Sequence, residues 1–263
     1  MSGNSHNTIA HLIHNVKNVE DRGVVFVESA DSEMFCSYKM LYQDAIKMAY
    51  LLTRKGMSQG DELVFQLTDN RTFITTFWAC VLTGIIPVPL SVGISAEQKQ
   101  KLSKVWTTLT NPSLIADEKT ANKINDQSIL AKLIMVHEME TSSELELSFP
   151  TIEPKDIAFV QFSSGSTGSP KGVTLTHGNL LTNVSAIHAG IDSPDEGDSF
   201  FSWMPLTHDM GLIGFHLTPL QKGWTHYIMP TSMFIRNPIL CSEKFLNIEF
   251  LLRPLQTLDI STY

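Results

Sequence analysis

Residues 163–173 read SSGSTGSPKGV, and no other run in the chain constrains it as much. Ile157, Ala158, Phe159 and Val160 precede it, and Val173, Thr174, Leu175 and Thr176 follow it, so the pattern predicts a strand, a flexible polar loop and a second strand. Gly165, Gly168 and Gly172 permit positive φ and let backbone N–H groups turn toward an anion. The hydroxyls of Ser163, Ser164, Ser166 and Thr167 add donors, and Lys171 adds a point charge. Such a loop suits phosphate. It is not a Walker A loop, because no GK[ST] follows a glycine at the required spacing. A polar surface turn has much the same composition and stays open as the plainer alternative.

The rest of the chain narrows the setting. Its 263 residues suffice for one large or two small domains. With 43% hydrophobic and 17% charged residues it can bury a core. A net charge of −8 without clustered Lys and Arg argues against a nucleic-acid partner. The polar opening MSGNSHNTIA has no apolar core and does not read as a secretory leader. No run approaches the roughly twenty apolar residues needed to span a bilayer. Cys36, Cys80 and Cys241 are too scattered for a disulfide framework or a metal site, so none is assigned and a reducing cytoplasm is the expected location.

Periodicity predicts helices over residues 7–19, 39–55 (closed by Gly56), 72–82 (ending at Gly84), 97–110, 177–191 and 212–220. Strands are predicted over residues 24–27, with a partner near Met34–Cys36, and over 62–67, 113–116, 132–136, 200–204 and 227–229. Residues 85–90 read IIPVPL, and their two prolines demote them to an edge or a short strand. The polar stretch 141–154 is expected to be a linker. Alternating strands and helices predict an α/β fold, doubly wound, with mostly parallel sheets and flanking helices. Ligands of such sheets bind beyond the carboxyl ends of strands, where the loop after Phe162 falls.

A second motif joins the loop. Residues 202–214 read SWMPLTHDMGLIG. His208 alone is compatible with a hydrogen-bonded structural role, and Asp209 with a helix N-cap. Taken together, the loop matches almost position for position the signature of the adenylate-forming superfamily (acyl-CoA synthetases, luciferases, peptide-synthetase adenylation domains). The HDMGLIG form resembles fatty-acyl-AMP ligases within it, and the similarity runs from Lys39 to about Leu240, including the early segment KGMSQGD from Lys55.

The resemblance implies part of the large N-terminal domain of such an enzyme over residues 1–240. It implies ATP as substrate, with Mg²⁺ expected, and phosphate contacts from Ser163, Ser164, Gly165, Ser166, Thr167, Gly168, Lys171 and Gly172. His208, Asp209, Met210 and Gly211 are implied to shape the substrate pocket. The partners implied are a fatty acid and an acyl carrier protein or downstream synthase module. In peptide-synthetase relatives an aspartate at this place anchors an amino group, so amino-acid activation is the runner-up, and a CoA acceptor also stays open. Nothing matches the family's adenine-binding Tyr-Gly segment, its acidic ribose-binding residue or its late catalytic lysine. The catalytic set is therefore expected to be incomplete and the chain inactive alone.

Residues 241–263 do not fit the family. Codons can be chosen so that one added G in the Cys241 codon yields WLRKISEYRISITASPNFGYQYL, which resembles the family's continuation. A frameshifted tail is the resulting expectation, with a non-catalytic ATP-binding module and a decayed gene product as alternatives.

Overall fold

The computed structural model of the chain describes residues 7–92, 96–139, 147–163, 170–191 and 199–247. Helix α1 (Ala10–Asn15) leads into the antiparallel pair β1 (Gly23–Val27) and β2 (Glu33–Ser37). Ser37 Oγ then accepts the Met40 N–H at 3.1 Å and opens α2 (Tyr38–Arg54). After β3 (Glu62–Gln66), Asp69 Oδ2 accepts the Thr72 N–H at 2.7 Å and opens α3 (Asn70–Thr83). Each side chain satisfies an N–H that a helix start leaves without a partner. Both helices therefore begin slightly before the starts expected at Lys39 and Thr72. Gly56 and Gly84, with φ of 87° and 70°, stand just past their ends.

The chain continues through β4 (Ile86–Pro89), α4 (Ala96–Trp106), β5 (Pro112–Ala116), α5 (Glu118–Ala121), α6 (Gln127–Leu130) and β6 (Leu133–Met135). Next come β7 (Ile157–Ser163), β8 (Lys171–Thr176), α7 (His177–Gly190) and β9 (Phe200–Ser202). A π-helix (Met210–Leu217), α8 (Thr218–Lys222), β10 (His226–Ile228), α9 (Thr231–Arg236) and α10 (Pro238–Asn247) complete the described elements. Part of the stretch expected as a linker, residues 141–146, lies outside the described residues.

Among the described residues the strands form three sheets, with orders β2-β1-β10-β9, β4-β3-β5-β6 and β7-β8. Pairings β1–β10, β10–β9, β3–β4, β3–β5 and β5–β6 are parallel, and β1–β2 and β7–β8 are antiparallel, so the described sheets are mostly parallel as expected. Strand β4 sits at the edge of its sheet. The Ile86 and Leu90 N–H groups donate to Asp61 and Phe65 carbonyls, while Pro87 and Pro89 fall at the alternate positions, where a missing N–H costs no bond to β3.

Period-two alternation in β3 sets the layers. Leu63 and Phe65 enter the central core, whereas Val64 packs with Val88, Leu114 and the α4 residues Leu102 and Val105 on the other face. From Phe73 to Thr83 every residue of α3 is buried. The central core joins it to Val24 and Phe26 of β1 on one side and to Phe159 of β7 on the other. An all-round buried helix needs apolar contact on every side, and its place between sheets supplies it.

Candidate functional site

Strands β7 and β8 form a hairpin whose last pairs are Phe162 with Gly172 and Ser163 with Lys171. The backbone thus delivers Ser163, Lys171 and Gly172 together at the carboxyl end of β7, all exposed. Ser164, Gly165, Ser166, Thr167 and Gly168 lie outside the described residues. For Gly172 the expectation of positive φ is corrected, since the left-handed glycines among the described residues are Gly56, Gly60, Gly84 and Gly223. Gly172 lies in extended strand, and its missing side chain has another use. A Cβ there would come within 3.0 Å of Phe162 Cζ and 3.1 Å of Val160 Cγ1, so glycine lets two core side chains crowd the hairpin.

The second motif is tied to this hairpin by one bond. Gln161 Nε2 on β7 donates to the Thr207 carbonyl at 3.1 Å, placing the residue before His208 beside the strand that enters the loop. The turn that carries His208 is closed by two backbone bonds, His208 N–H to Pro205 O and Leu212 N–H to His208 O, both 3.0 Å. Gly211 is required by that closure. A Cβ on Gly211 would meet Pro205 O at 2.2 Å, a distance no side chain tolerates.

His208 Nδ1 lies 2.6 Å from Asp209 Oδ1, and both side chains are exposed. The Met210 N–H is 2.7 Å from the same carboxylate oxygen and 3.3 Å from His208 Nδ1. One nitrogen cannot accept from Met210 and donate to Asp209 at once. The shorter contacts assign Asp209 as acceptor from both the His208 Nδ1–H and the Met210 N–H. Asp209 is thus the expected cap, and His208 Nε2 is left outside the pairing. Met210 is exposed and Gly211 buried beneath it.

The following run was expected to be an α-helix over 212–220. It is instead a π-helix to Leu217 continued by α8, with the Thr218 N–H and, at 2.8 Å, its hydroxyl both donating to Ile213 O, five residues back. Its inner face holds a polar chain that periodicity alone does not disclose. Trp78 Nε1 donates to His216 Nε2 at 2.9 Å, and His216 Nδ1 lies 2.8 Å from His226 Nε2. His226 Nδ1 is 3.2 Å from the Tyr38 hydroxyl, which in turn bonds to the Trp224 carbonyl. Because an indole N–H only donates, His216 must accept at Nε2, carry its proton on Nδ1 and donate to His226. His226 then carries its own proton on Nδ1. Both rings are neutral, in agreement with burial, which pushes His226 down to about 4 and His216 well below the ordinary value.

A further contact also escapes the sequence. Lys101 of α4 places its ammonium 3.3 Å from the Phe162 carbonyl oxygen, at the mouth of the hairpin. Among the described residues, no group of three or more His, Cys, Asp or Glu is placed to hold a metal ion. No helix among them is long and apolar enough to cross a membrane.

Comparison with known proteins gives this arrangement its family. The family model for AMP-binding enzymes matches residues 13–243, and the chain belongs to that family. It is 48% identical over 89 residues to the medium-chain-fatty-acid–[acyl-carrier-protein] ligase TtuA of Teredinibacter turnerae, covering 34% of this chain and 14% of that protein. Its fold is similar to the fatty acyl-adenylate ligase of L. pneumophila solved with acyl adenylate and pyrophosphate (TM-score 0.84, 26% identity, 94% of this chain and 44% of that one). It is also similar to McyG A-PCP complexed with phenylalanyl-adenylate (TM-score 0.82, 29% identity, 91% and 45%). The chain thus spans less than half the length of each of these relatives.

Proposed function

We propose that this chain is the phosphate- and acyl-holding part of an ATP-dependent fatty-acyl-AMP ligase. In that reaction a fatty-acid carboxylate oxygen attacks the α-phosphorus of ATP, the bond to the bridging oxygen breaks, and pyrophosphate leaves with the electron pair. The acyl group then passes to a carrier protein. The observation that carries the reading is the Gln161–Thr207 bond, which brings the hairpin and the His208 turn to one place.

The reacting partners are both anions, so the site must neutralise charge and hold the attack in line. Ser163, Ser164, Ser166, Thr167 and Lys171, with backbone N–H groups of Gly165, Gly168 and Gly172, are assigned to the phosphates. His208 is assigned to the reacting carboxylate, with Asp209, Met210 and Gly211 shaping the substrate pocket beside it. Mg²⁺, bound with ATP, would neutralise phosphate charge.

Amino-acid activation is the second reading. It is favoured by the exposed Asp209 carboxylate, a possible anchor for an ammonium group, and by the likeness to a phenylalanyl-adenylate complex. ATP–pyrophosphate exchange driven by fatty acids against amino acids separates the two. The chain alone is expected to exchange neither. Joined to the reading restored by one base after Leu240, it is expected to exchange with fatty acids, and exchange with amino acids only would overturn the assignment. The nucleotide sequence around Leu240 tests whether residues 241–263 follow a shifted frame.

A further inference from the structure

Two lysines of helix α4, Lys101 and Lys104, stand in opposite settings. Leu102 and Val105 are buried in the core beneath the helix, packed with Val160 and Phe162 of β7. Lys101 precedes the first of these and stands one turn before the second, so it lies on the seam facing β7 rather than on the solvent side. Lys104, by contrast, is exposed. Packing of Leu102 and Val105 fixes the helix against the strand, and Lys101 is half-buried with its ammonium on the Phe162 carbonyl at 3.3 Å.

A carbonyl is an unusual end-point for a half-buried ammonium. It is neutral and occupies one of the three Nζ donors, and among the described residues the charge and the other two donors meet no further partner. That carbonyl belongs to the residue before Ser163, whose strand partner is Lys171. Lys101 and Lys171 therefore approach the same hairpin mouth from two different elements, α4 and β8.

We propose that Lys101 is a second phosphate-binding cation of the site, reaching across from α4 to the phosphate group nearest the end of β7. This rests on the phosphate-binding reading above. In the apo protein the Phe162 carbonyl holds the ammonium in place, and a bound polyphosphate takes its remaining donors.

Calorimetric titration of the 263-residue chain with inorganic pyrophosphate and Mg²⁺ tests it. Lys101→Met is expected to weaken affinity about tenfold, the worth of one charge-assisted bond. Lys101→Arg, which keeps the charge, is expected to stay within about threefold of the parent, and Lys104→Met is expected to leave binding unchanged. If Lys101→Met merely matches Lys104→Met while the parent binds, the role of Lys101 is overturned and the hairpin reading stands. If the parent binds no pyrophosphate, both are overturned. Should Lys101→Met fold poorly by thermal melting, Lys101→Gln and Lys101→Arg decide the matter. A charge role separates them in affinity, and a purely structural role leaves both equal to the parent.

Discussion

Single residues in this chain are constrained by contacts of 2 to 3 Å. Gly211 is one such case, since its hydrogen faces the Pro205 carbonyl where any Cβ would overlap it. Gly211→Ala is expected to cost about 2 kcal/mol or more, read as a lower urea midpoint. Gly214 is the control, because a Cβ there meets nothing closer than Met210 Sδ at 3.6 Å. Gly214→Ala is expected to be neutral or stabilising, helix interiors favouring alanine. The buried histidines set a pH limit. His226 and His177 are each lowered by burial to about 4, against an ordinary value of 6.5. Below pH 6.5 the unfolded chain takes up protons that the folded one refuses. Their stabilising contribution is therefore full above pH 6.5, declines as pH falls toward 4, and changes no further below that. Denaturation midpoints measured from pH 8 to 4 should fall through that window, and a flat profile would contradict neutral buried rings.

At the scale of elements, the sequence was legible wherever one local signal decided the outcome. Gly56 and Gly84 mark helix ends, and Pro87 and Pro89 mark the edge strand, all within a few residues of the features they govern. The π-helix was not legible. Its apolar run suits an α-helix equally well, and the wider turn accompanies partners distant in sequence, with His216 held by Trp78 of α3 and His226 of β10. Gln161 and Lys101 were missed for the same reason, because each meets its partner across the fold. The polar chain through His216 gives an expectation at this scale. His216→Leu fills similar space but leaves the Trp78 N–H and His226 Nε2 unpaired in the core. It is expected to cost about 2–4 kcal/mol, beyond what loss of one hydrogen bond explains. Hydrogen exchange at the Trp78 indole should quicken with it, and an unchanged rate would mean that the bond contributes nothing.

For the whole molecule, alternation of strands and helices gives the α/β class. It does not show that β1 and β10, two hundred residues apart, pair in register from Val24 with His226 to Phe26 with Ile228. That closure fixes the strands that carry the second motif, since β9 and β10 flank the turn and the π-helix between them. The hairpin and the His208 turn were both recognisable from residues alone, whereas their meeting through Gln161 and Thr207 belongs to the fold. If this meeting point holds the phosphates of a nucleotide, the chain binds ATP with Mg²⁺, and calorimetry measures that binding. Saturable one-to-one binding, weakened at least about tenfold by Lys171→Ala, is the predicted result. Absence of saturable binding, or binding indifferent to Lys171→Ala, would contradict it.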